Sequence, residues 1–77
     1  MSQRSPRVTA DEIIRVLEKA GFALARQSGS HKIYKNSTGK RVTIPYHKGK
    51  VLHPKLLTSI LKDADLDRED LKNLLAG

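Results

Sequence analysis

The sequence predicts an α+β fold of order α-β-β-β-α-α: a three-stranded antiparallel sheet with its helices on one face. Three observations predict it. Apolar residues recur at helical spacing before residue 21 and after residue 53, while the stretch between them alternates as strands do. Ser28-Gly29 and Asn36-Ser37-Thr38-Gly39 divide that middle stretch into short runs of strand length. Two helical segments also open on capping signals, Thr9 with Glu12 and Asp67 with Asp70.

The first helix follows from Thr9-Ala10-Asp11-Glu12. Thr9 is placed to accept from the backbone N–H of Glu12 while the Glu12 carboxylate reaches back. Ile13, Ile14, Leu17 and Ala20 form its apolar stripe, Arg15, Glu18 and Lys19 face solvent, and Gly21 ends it. Phe22 to Gln27, Ser30 to Lys35 and Arg41 to Tyr46 read as three strands of a meander. Pro45 cannot donate to a ladder, so it belongs near a strand end or at an edge. Pro54 suits the first position of a second helix, whose stripe is Leu56, Leu57, Ile60, Leu61 and Ala64. Asp67 opens a short extra C-terminal helix that buries Leu71, Leu74 and Leu75. Helices covering one sheet face leave the other open, and strand alternation sends side chains of the middle segment to it and to its rim. An α-β-β-β-α order is that of double-stranded-RNA-binding domains, which read A-form geometry through phosphate and 2′-OH contacts.

Seventy-seven residues allow one domain over 1–77, with an ordered part expected at about residues 8–76. Such a chain buries only about 60–70% of the surface exposed on unfolding, which leaves no room for a large inter-domain cleft. There is no cysteine, hence no disulfide and no Cys-based zinc site. The start, Met1-Ser2-Gln3-Arg4-Ser5-Pro6-Arg7, is basic and polar without the apolar run of a signal peptide, so a cytoplasmic protein is expected.

The net charge is +7, and its placement matters more than its size. Arg26, Lys32, Lys35, Lys40, Arg41, Lys48, Lys50 and Lys55 lie in one stretch that holds no Asp or Glu. Such a segment presents a positive field to a polyanion, though a basic face can also serve solubility alone. His31, His47 and His53 all fall inside it. His31 follows Gly29-Ser30 at a strand start, among cations. RNA cleavage needs a proton taken from a 2′-OH or water and another given to the leaving 5′-oxygen, and histidine exchanges protons near neutral pH. Neighbouring Lys32, Lys35 or Arg41 would stabilise charge on the phosphate. On the residues alone, a lone histidine near a strand start is more often an ordinary surface or half-buried residue than a catalytic one. His47 reads as a loop residue and His53 as a helix cap. Their spacing matches no compact metal motif, so no metal and no cofactor are expected. Tyr34 and Tyr46 fit either base stacking or the edge of the core. Phosphate-binding loops, a nucleophile elbow and paired carboxylates within the basic segment are missing.

Ile13 to Leu17, Gly21-Phe22, Arg26-Gln27-Ser28-Gly29-Ser30-His31, Val42-Thr43-Ile44-Pro45-Tyr46-His47, and Leu57, Ile60, Leu61, Lys62 and Ala64 occur in this order and spacing. Together they resemble the HicA (YcfA-like) mRNA interferase toxins over about Thr9 to Leu75. Lys55, where that family often has glycine, is a departure that touches the helix entry. The resemblance implies the toxin of a type II toxin–antitoxin pair, with a double-stranded-RNA-binding-like fold. It further implies a metal-independent endoribonuclease that cleaves mRNA with His31 as the catalytic residue. The implied partner is a HicB antitoxin that covers the active surface, with operator DNA contacted only through it. Ser30, Lys32, Lys35, Arg41, Lys48 and Lys50 are the expected RNA contacts. A non-catalytic RNA-binding module of the same fold, and a domain that only holds an acidic protein, are the competing readings.

Overall fold

Thr9 caps the first helix as its sequence requires. Its Oγ1 accepts from Glu12 N–H at 3.2 Å while Glu12 Oε1 accepts from Thr9 N–H at 2.9 Å. The computed structural model describes residues 7–76; the expectation of a leaderless basic start falls largely on residues 1–6, outside the described residues. The elements are α1 (Ala10–Lys19), β1 (Ala23–Ser28), β2 (His31–Lys35), β3 (Arg41–Pro45), α2 (Pro54–Asp63) and α3 (Arg68–Ala76). The sheet is antiparallel in the order β1-β2-β3.

Both longer helices end in the same hydrogen-bonded turn. After α1, Phe22 N–H bonds Leu17 O and Gly21 N–H bonds Glu18 O, with Gly21 at φ +97. After α2, Leu66 N–H bonds Leu61 O and Asp65 N–H bonds Lys62 O, with Asp65 at φ +59. The first of these turns folds Phe22 back into the core at 4% exposure, so β1 begins one residue later than the alternation suggested. Asp67 and Asp70 exchange backbone-to-carboxylate bonds at the start of α3.

The core joins one sheet face to the helices. Tyr34, Val42 and Ile44 supply the sheet side; Ile13, Val16 and Leu17 of α1, Leu57, Ile60 and Leu61 of α2, and Leu71 of α3 supply the rest. Ile13, Leu17, Val42, Ile44 and Leu71 are fully buried, each contributing about 1.5–3 kcal/mol relative to exposure. Val8 and Leu52, outside the expected helical stripes, complete it, and Leu52 N–H bonds Val8 O at 2.7 Å. Leu75, expected in the core, is exposed at 36%, because α3 turns only Leu71 and part of Leu74 inward.

Helix cover does not reach β1. All six of its residues are exposed, including Leu24 at 49%, and its register shifts between Leu24 and Arg26 so that Ala25 forms a bulge. At the other margin Pro45 ends β3. The bond from Tyr46 N–H to Ser30 O flanks the His31–Pro45 pair, which makes that pair a non-hydrogen-bonded one. The nitrogen of Pro45 therefore faces the free edge and removes no bond from the ladder.

Candidate nucleic-acid interface

Ser28 and His31 are paired, so the β1–β2 turn has two residues, Gly29 and Ser30. Gly29 lies at φ +59 and Ser30 is not in the positive-φ region, which fits a type II′ turn with glycine at its first central position. This turn starts β2 at His31 and fixes which face His31 uses.

Alternation does the rest. Tyr34, Val42 and Ile44 are buried under the helices, so His31, Ile33 and Lys35 of β2 lie on the opposite, open face. Register adds Arg41, opposite Lys35, and Arg26, opposite Ile33. Ala25, Arg26, Ile33, Lys35 and Arg41 line one shallow groove there. His31 stands at the end of the same face, between Ser28 and Pro45. The one ion pair among the described residues joins Lys40 to Asp65 at 3.9 Å, so Arg26, Lys35 and Arg41 are not neutralised by any described carboxylate.

Lys32 is placed differently. Its Nζ sits 4.0 Å from the centroid of the Tyr46 ring, on the helix side of the sheet. The Tyr46 hydroxyl donates to Asp11 of α1 at 2.8 Å, and that bond holds the phenol above its ordinary pKa. Burial, with Glu18 and Asp11 nearby, raises Tyr34 as well. Both tyrosines are thus engaged with the core and α1.

Ser30 is exposed in the turn. Lys48 and Lys50 project from a second turn, His47 to Lys50, closed by Lys50 N–H to His47 O with Gly49 at φ +78. His53 caps α2, its Nδ1 accepting from Lys55 N–H at 3.1 Å. Pro45, His47, Lys50 and His53 border a groove at the β3 margin, floored by apolar residues such as Leu52 and Leu56. No group of three or more His, Asp or Glu among the described residues is arranged to hold a metal ion. No described helix is long and apolar enough to cross a membrane.

The structure thus puts His31, Lys35 and Arg41 on one open face but at its two ends, four residues apart along β2, or about 13 Å. Ser30 adjoins His31, and Lys48 and Lys50 lie in the loop after β3. Arg26 belongs to the same face and was not among the expected contacts. Its signal lay in the segment charge, but the register that aligns it with Ile33 depends on the bulge at Ala25.

A family model described as "HicA toxin of bacterial toxin-antitoxin" matches residues 10–66. No curated protein matches the chain.

Proposed function

The chain belongs to the HicA toxin family of bacterial toxin–antitoxin pairs, and from that membership we propose that it is an endoribonuclease that cleaves mRNA through His31. The observation that carries the reading is the position of His31 on an open sheet face that bears Arg26, Lys35 and Arg41 and faces no described carboxylate.

Scission is a transfer within RNA. A base takes the 2′-OH proton, the 2′-oxygen attacks phosphorus, the 5′-oxygen leaves with a proton, and a 2′,3′-cyclic phosphate remains. His31 is the proton acceptor. Arg26, opposite Ile33 and so two residues along β2 from His31, stabilises the charge gathering on the scissile phosphate. Lys35 and Arg41, four residues along β2, bind the phosphates beyond it, and Ser30, Lys48 and Lys50 extend the track. Lys32, held over the Tyr46 ring on the helix side, stands apart from this track. The acids lie away from this face, and the proposed chemistry uses no metal or cofactor.

Family membership implies an antitoxin partner. We assign it to the HicB type, seated over the open face, with operator DNA contacted only through the antitoxin and the pair residing in the cytoplasm.

Purified chain incubated with a mixed-sequence RNA tests the reading. We expect fragments ending in 2′,3′-cyclic phosphate, and at least about 100-fold slower cleavage by His31→Ala with RNA affinity kept within a few-fold. A His31→Ala variant that cleaves at the wild-type rate refutes the role of His31. A wild-type chain that shifts RNA without shortening it refutes the enzyme.

A further inference from the structure

The reaction above assigns one proton and leaves the other without a donor. We propose that His47 is the general acid that protonates the leaving 5′-oxygen, with His31 and His47 acting as a pair across the β2–β3 margin. The inference rests on the endoribonuclease reading.

Three observations on the structure select His47. First, only histidine side chains have an unperturbed pKa near neutrality, and the sequence holds three. Second, His53 is committed elsewhere: its Nδ1 accepts the Lys55 N–H at the start of α2. Third, β-pairing carries His47 to the correct side. His31 is opposite Pro45, and the bond from Tyr46 N–H to Ser30 O extends the ladder one residue further. β3 ends at Pro45, and His47 opens the turn that follows. Tyr46 turns to the helix side to reach Asp11, and carrying the alternation one residue past the strand returns His47 to the side of Pro45 and His31.

That continuation makes His47 the diagonal neighbour of His31, a relation for which backbone separations in a regular ladder are about 7–8 Å. Two proton carriers, each about 3 Å from its own oxygen with phosphorus between those oxygens, stand roughly 6–9 Å apart. The diagonal spacing matches that need, whereas a directly opposite position would crowd the phosphate. Pro45 fills the directly opposite place with a ring that carries no proton. His47 is exposed at the β3 margin, where it borders a groove with Pro45 and with Lys50, a cation suited to the neighbouring phosphate. Ala10, Leu52 and Leu56 of the helix side complete that groove.

The bonds balance. His31 takes the 2′-hydroxyl proton, the 2′-oxygen–phosphorus bond forms as the phosphorus–5′-oxygen bond breaks, and His47 gives its proton to that oxygen. Solvent then returns both imidazoles to their starting forms.

The test compares two RNA oligonucleotides, one natural and one with sulfur in place of the bridging 5′-oxygen at the scissile linkage. A thiolate leaves without a proton, so the sulfur substrate does not need a general acid. On natural RNA we expect His47→Ala to lower kcat about 100- to 1000-fold with binding unchanged within about threefold. On the sulfur substrate it should match wild type within a few-fold, while His31→Ala stays impaired on both. His47→Gln, which keeps size and polarity, should behave as His47→Ala does, and matching thermal melts would set a folding defect aside. Wild-type rates from His47→Ala on natural RNA overturn the proposal. Equal impairment on both substrates also overturns it, by giving His47 a structural or binding role. A wild-type chain that cleaves neither substrate removes the endoribonuclease reading beneath it, an outcome distinct from the other two.

Discussion

Lys35 and Arg41 face each other directly across β2 and β3, two like charges on an open sheet face. Like charges opposite one another destabilise a sheet, so this pair is held at a cost that a purely structural face would avoid. Replacing Lys35 by threonine, a good strand former, should therefore raise stability by roughly 0.3 kcal/mol. The same change should weaken RNA binding and reduce the slope of log K against log[salt] by about 0.7 for single strands. Thermal melts and salt-dependent binding titrations on one pair of proteins check both signs. Loss of stability together with unchanged binding would contradict the argument.

Gly29 sets the place of His31 through the two-residue turn. A Cβ at Gly29 meets nothing within 4 Å, so any cost of Gly29→Ala comes from its φ of +59 rather than from a collision. That cost should be about 1 kcal/mol, seen as a lower melting temperature. RNA cleavage should fall more than RNA binding, because the turn displaces the imidazole while the cations of Lys35 and Arg41 stay in register.

Asp65 occupies the left-handed position after α2, where glycine is usual. Its exposed contact with Lys40 at 3.9 Å contributes little. Asp65→Gly should stabilise the chain by about 0.5–1 kcal/mol and raise Tm by about 3–6 °C. Differential scanning calorimetry measures it, and a fall in Tm would show that the ion pair outweighs the backbone.

Tyr46 is held protonated by its bond to Asp11. A phenol whose folded pKa is raised contributes stability that is complete below about pH 10 and lost as pH climbs through the folded value. Tyr46→Phe should be less stable than wild type at pH 8, and the gap should narrow steadily as pH rises above about 10. Parallel stability curves in urea across that range would contradict it. Tyr34, raised by burial, remains in both proteins and gives each a residual alkaline decline.

Features that depend on near neighbours were legible in the sequence. The Thr9–Glu12 and Asp67–Asp70 caps, His53 as a cap and Pro45 at a strand end each follow from a few adjacent residues. The setting of His31 was legible too, since one turn and one alternation fix it. Lys32 shows where charge counting falls short. It adjoins His31, but a period of two sends consecutive side chains to opposite faces, and only the ring of Tyr46 reveals where Lys32 goes. Val8 and Leu52 were hidden because their burial comes from a contact between distant segments. The exposure of β1 was hidden because it depends on how far the helices reach.

The bulge at Ala25 and the ring of Pro45 lie at opposite margins of the sheet. An outer strand is normally an invitation to a stranger's backbone, the route by which sheets aggregate or swap segments. Here one margin is kinked at Ala25 beside a charged Arg26, and the other lacks a donor where Pro45 ends it. Neither offers an unbroken row of hydrogen-bonding groups. Margins interrupted on both sides disfavour edge-to-edge pairing between copies of the chain, and they leave the broad cationic surface as the ground on which another molecule can settle.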